Sequence, residues 1–183
     1  AGVVRTRLSA RRRRRRLRRE HRRNLRRLAS KGSVASVERI EFICYGNICR
    51  SPFAERVARD LLPGIEVSSN GLHPTVGRAS PEGFVALARE HGMDLSEHRS
   101  RSLSDDHPPS GDLLVVMDVM NYEELVSRFP DVADRVVFLG LFATSPRLTV
   151  PDPYALSDDQ ARDVHALILD SVTGLARWLE CLR

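Results

Sequence analysis

The chain has 183 residues, 42% of them hydrophobic and 29% charged, with a formal net charge of +5. This length fits one ordinary domain with enough chain to bury a core. No apolar run approaches the ~18 residues of a membrane-spanning helix. Three cysteines, an odd number, do not read as a disulfide framework, and a reducing, cytoplasmic setting is expected.

The charge is divided. Residues 1–31 hold fourteen arginines and Lys31 against the single acid Glu20, a formal +14, which leaves −9 for the remainder. Residues 1–36 are therefore expected to be a basic, disordered tail ahead of a domain spanning 37–183. Leu17, Leu25 and Leu28 mark one face of a helix that an anionic partner would induce. Two readings stay open: an arm contacting nucleic acid or an acidic membrane surface, or a solvated tail, including sequence translated upstream of a natural start. The arginine-rich, acid-poor composition also fits a mitochondrial-type presequence, whereas no apolar segment follows that would suit a secretory signal.

From Glu38 strand and helix signals alternate. Arg39 to Ile43 is a short apolar strand ending at Cys44. Ser51-Pro52 opens a helix, with serine at the N-cap and proline at the first helical position, and Pro63-Gly64 ends it. Ile65 to Ser68 is a second strand, and residues 81–91 a second helix stopped by Gly92. Leu113 to Met117 is a continuous apolar run, as a strand buried on both faces should be. A helix over 119–129 follows, with Asp118 as its N-cap, then a fourth strand over 135–139. Ser157, with Gln160 three residues on, has the capping-box spacing for a last helix.

Such alternation predicts an α/β fold: a single doubly wound domain with a four-stranded parallel sheet flanked by helices. Sites in these folds lie at the carboxyl ends of strands, where Cys44 falls. In Cys44-Tyr45-Gly46-Asn47-Ile48-Cys49-Arg50-Ser51, the cysteine sits between a strand end and a helix start. Unpaired N–H groups and the positive end of the helix dipole favour its thiolate there. Gly46 permits the torsions that a ring of inward amides needs, and Arg50 can turn its guanidinium over the loop to hold two phosphate oxygens. A nucleophile in an anion cradle matches phosphate monoesters.

On these residues the sequence resembles the low-molecular-weight protein tyrosine phosphatases over about residues 38–183. Cys44 to Pro52 is similar to their signature loop, Asp152-Pro153-Tyr154 to their acid loop, and Met117-Asp118 to a pair found in the family. The resemblance implies a phosphocysteine intermediate on Cys44, phosphate binding by Arg50 and the loop Tyr45 to Ser51, and Asp152 as general acid and base, with no metal or cofactor. It also implies that Asn47 braces the loop through Ser69 and His91, and that Cys49 is similar to the second loop cysteine that closes a reversible disulfide in some members. His98 carries no assigned role. The implied partners are a tyrosine-phosphorylated protein and, by analogy, a cognate tyrosine kinase. Three alternatives remain: an arginine phosphatase, which Ile48 disfavours because that branch carries threonine there; a thioredoxin-coupled arsenate reductase, disfavoured because no cysteine lies between Arg50 and Glu180; and a non-catalytic anion or nucleic-acid binder.

Overall fold

The computed structural model describes residues 2–30 and 37–182. Strands β1 (Arg39–Cys44), β2 (Glu66–Gly71), β3 (Leu113–Val116) and β4 (Val136–Phe138) form one wholly parallel sheet in the order β2-β1-β3-β4. Side chains alternate across it as the two-residue strand period requires. Ile40, Phe42, Val115 and Val137 enter one core, while Ile43, Leu114, Val116 and Phe138 enter another on the opposite face.

Helices α2 (Arg50–Leu61), α3 (Glu82–Glu90) and α5 (Asp158–Glu180) cover the first face, and α4 (Val119–Arg128) the second. This is the expected doubly wound, four-stranded architecture. Phe53 of α2 is fully buried, which stabilises the α2 contact by roughly 2–3 kcal/mol. Ser157 and Gln160 close the expected capping box at the start of α5. The chain leaves β1 towards β2 on one side and returns to β3 on the other. The loops after β1 and β3 therefore diverge and open a crevice at the carboxyl ends of the strands.

The N-terminal segment departs from the expected disorder. Helix α1 runs Gly2–Ser30 and lies against the free edge of β4. Leu17 is fully buried in the second core, and His21 and Asn24 are buried beside it. Asn24 Nδ2 donates to the Val136 and Ala133 carbonyls at 2.8 and 2.9 Å, and the Phe138 N–H donates to His21 Nδ1 at 3.2 Å. Burial, then Arg22 and Arg18, lower the His21 pKa to about 4, so the ring is the neutral acceptor this bond needs. Arg13 and Arg27 pair with Glu123 and Asp134 of the body, and Tyr122 Oη donates to Glu20 at 3.1 Å. The like charge that disfavours autonomous folding is thus offset by tertiary contacts, which supply most helical stability in proteins. Residues 31–36, the end of the expected tail, lie outside the described residues. Among the described residues no helix is long and apolar enough to cross a membrane.

Candidate active site

Cys44 ends β1 at the centre of the sheet, and Arg50 begins α2. The five residues between them must reverse the chain, and Asn47 does so with φ of 51°, a left-handed conformation that asparagine tolerates better than most residues. Cys49, not the expected Ser51, sits at the N-cap of α2 and has no side-chain cap bond; the helix begins two residues earlier, and Pro52 is its third residue. The first N–H groups of α2 are then available to an anion, with the helix dipole behind them.

Asn47 is wholly buried and ties four segments together. Its Nδ2 donates to Ser51 Oγ at 2.9 Å and Ser69 Oγ at 2.8 Å, and its Oδ1 accepts the Arg101 N–H at 2.7 Å. Ser69 in turn donates to Glu55 Oε2 at 2.6 Å, an oxygen that Arg101 Nη2 also reaches at 3.0 Å. Because Asn47 donates to Ser51, the Ser51 hydroxyl proton is free to point at Cys44 Sγ, 3.0 Å away. The Asn47 N–H approaches the same sulfur at 3.2 Å. Two donors therefore converge on the sulfur, and both are held by buried partners.

His91 does not brace Asn47; it packs against the rings of Phe53 and His165. His98 stands in the expected place instead, its Nε2 2.7 Å from the Asn47 carbonyl. A carbonyl only accepts, so Nε2 carries the proton, and burial lowers the ring's pKa and keeps it neutral. Arg78, another residue without a sequence signal, holds the Gly46 carbonyl from Nη2 at 2.6 Å.

Arg50 is 3% exposed. Its Nη1 donates to Asp118 Oδ2 at 2.7 Å and to the Val150 carbonyl at 3.2 Å, and its Nη2 to Asp152 Oδ2 at 2.8 Å. Burial works against its charge, but Cys44, Asp152 and Asp118 outweigh that and raise its pKa. Asp118 is the N-cap of α4, as expected, through Oδ1 and the Asn121 N–H at 2.8 Å. Its second oxygen fixes Arg50, which its sequence position did not disclose. Burial, then the nearby Cys44 and Asp152, push the Cys49 thiol up to about 12.

Cys44, Arg50 and Asp152 line one cleft of about 250 Å³. Ile48, Tyr45, His73 and Tyr154 form its walls, with the Tyr45 and His73 rings edge to face at 5.3 Å. Asp152 stands at the mouth, its side chain 53% exposed. The cleft joins a sulfur nucleophile, a cationic fork and a carboxylic acid under aromatic and apolar walls.

An α/β sheet with this loop at its carboxyl end defines a phosphate-ester enzyme, and the comparisons with known proteins give its family. The family model for low molecular weight phosphotyrosine protein phosphatase matches residues 39–182, and the chain belongs to that family of cysteine-dependent phosphatases. Among its relatives is the probable low molecular weight protein-tyrosine-phosphatase EpsP of Ralstonia solanacearum, 31% identical over 80% of this chain and 97% of its own length. The tyrosine phosphatase Wzb from Escherichia coli K30, solved in complex with sulphate, superposes with a TM-score of 0.72 at 31% identity, covering 80% of this chain and 99% of that one. The YwlE arginine phosphatase from Geobacillus stearothermophilus gives the same TM-score at 28% identity, covering 79% and 94%.

Proposed function

We propose that this chain hydrolyses phosphotyrosine in proteins through a phosphocysteine intermediate. The observation that carries the reading is that Cys44, Arg50 and Asp152 line a single cleft, with Arg50 already bonded to Asp152. In the first step the Cys44 thiolate attacks phosphorus in line, and the bond to the tyrosine oxygen breaks. Arg50 and the loop amides hold the equatorial oxygens and offset the charge of the transition state. Phosphate takes over the guanidinium face that Asp152 occupies, which frees the carboxyl, in its protonated form, to give its proton to the leaving phenolate. In the second step the Asp152 carboxylate removes a proton from water, the water oxygen attacks phosphorus, and the P–S bond breaks. Inorganic phosphate and the Cys44 thiolate are released.

Ile48 and the Tyr45–His73 pair favour a flat aryl ester over a guanidinium phosphate, so phosphotyrosine is preferred to phosphoarginine. The similarity to an arginine phosphatase keeps the second substrate worth measuring. A thiolate enzyme suits a reducing, cytoplasmic setting, and a phosphorylated tyrosine kinase is a fitting partner. On a phosphotyrosine peptide, Cys44→Ser should abolish turnover and Asp152→Ala should lower kcat by about 10²–10⁴-fold. Turnover surviving in Cys44→Ser would sink the mechanism. Faster hydrolysis of phosphoarginine than of phosphotyrosine would overturn the substrate choice alone.

A further inference from the structure

The side chains of α1 sort by face. Leu17, His21 and Asn24 are committed to the sheet edge. Roughly 180° round the helix, at about 100° per residue, Arg11, Arg15, Arg22 and Arg26 form one row, with Arg12, Arg19 and Arg23 beside it. All seven are exposed. Among the described residues none of them has an acidic partner; the ion pairs of α1 fall to Arg13, Arg16 and Arg27 on its flanks. Like charges four residues apart on a helix repel, so this face carries positive charge that its own helix does not neutralise.

Its position relates it to the cleft. Asn24 bonds Val136 and His21 bonds Phe138, so α1 runs antiparallel to β4. Residues before His21 therefore continue past the carboxyl end of the sheet, the end at which Cys44 lies. Two strand spacings separate β1 from β4, about 10 Å, and a helix packs about 10 Å from its neighbour. The arginine face lies a further ~5 Å out, the helix radius, so an extended peptide leaving the cleft reaches it in about eight residues.

We propose that the arginine face of α1 docks an acidic stretch of the phosphoprotein substrate, at least about eight residues from the phosphotyrosine. The proposal rests on the phosphatase reading above. Charge and dimensions select this occupant. Arg11, Arg15, Arg19 and Arg23 follow at four-residue steps of about 6 Å along the helix, and alternate side chains of an extended chain at about 6.6 Å, so acids at every second position can meet these four in turn. The face is one helix wide, about 10 Å. Its place at the sheet end that carries the cleft favours a segment of the bound substrate over a separate nucleic-acid duplex. An interfacial membrane helix also inserts its apolar face, and here that face is buried.

The test compares two phosphotyrosine peptides identical for about eight residues on either side of the phosphotyrosine. Beyond that point one carries glutamate at alternate positions over eight residues, and the other glutamine. The full chain should show about tenfold higher kcat/KM on the acidic peptide at low salt, through KM rather than kcat. The excess should vanish in about 0.5 M salt and in the combined variant Arg11→Gln, Arg15→Gln, Arg22→Gln, Arg26→Gln. Glutamine keeps helix propensity, and p-nitrophenyl phosphate turnover should be equal in the two proteins. Equal kcat/KM on the two peptides, or an excess retained by the variant, overturns the proposal. So does tighter binding of duplex RNA or phosphatidylserine vesicles than of the unphosphorylated acidic peptide, read by fluorescence anisotropy. If neither peptide nor p-nitrophenyl phosphate is turned over, the phosphatase reading fails, while the anisotropy still decides the docking.

Discussion

Asn47 carries more of the site than either of its catalytic neighbours reveals. It combines a left-handed backbone with three side-chain hydrogen bonds in a fully buried position. Asn47→Ala adds about 1–2 kcal/mol of backbone strain and strips buried groups of their partners at about 1–3 kcal/mol. Denaturant unfolding should show a loss of at least about 3 kcal/mol, and Asn47→Gly should recover about 1 kcal/mol of it. Both variants should lose activity, because neither aims the Ser51 hydroxyl at Cys44; an active Asn47→Gly would show that strain relief alone suffices. The loop itself was legible because its nucleophile, anion cradle and guanidinium are contiguous in sequence. His98, Arg101 and Arg78 were not. They arrive from a distant segment, where no spacing rule connects them to Asn47 or Gly46. His91 was misplaced because the resemblance supplies a histidine nearby in sequence, whereas this one caps the end of α3, exposed, with its ring beside Phe53 and His165.

At the scale of elements, α5 contains a glycine whose sign is decided by packing. Propensity favours Ala over Gly within a helix by about 1 kcal/mol. A Cβ on Gly174, however, would run into the Phe142 carbonyl oxygen, a backbone atom that cannot rotate aside. Gly174→Ala should therefore destabilise the protein by about 2 kcal/mol or more, read as a lowered denaturant midpoint; a raised midpoint would show that α5 can shift. Sequence pattern found α2 to α5 because each pairs a helical apolar period with a cap or a breaker. It missed α1 as a docked element for a physical reason. Leucine spacing revealed one face, but His21 and Asn24 bind by hydrogen bonding backbone, which a hydropathy pattern does not count. The partner that orders the helix is the chain's own sheet edge.

Across the whole molecule, two buried histidines make stability depend on pH. Burial lowers His21 and His165 to about 4, against about 6.5 when unfolded. Between these values the unfolded chain binds more protons than the native one, so stability rises with pH and is complete above about 6.5. At pH 5 each histidine should cost about 2 kcal/mol relative to pH 7. Urea midpoints should fall accordingly, and His165→Leu should flatten part of the slope; a profile unchanged from pH 7 to 5 would contradict it. Protonation of His21 has a second consequence, because its Nδ1 then loses the lone pair that receives the Phe138 N–H. An open strand edge is a template on which another chain can copy its own pairing. Imidazole and amide act here as a terminator, and acid near pH 4 removes half of it. Acid should thus license strand-on-strand assembly through β4 before the rest of the fold gives way.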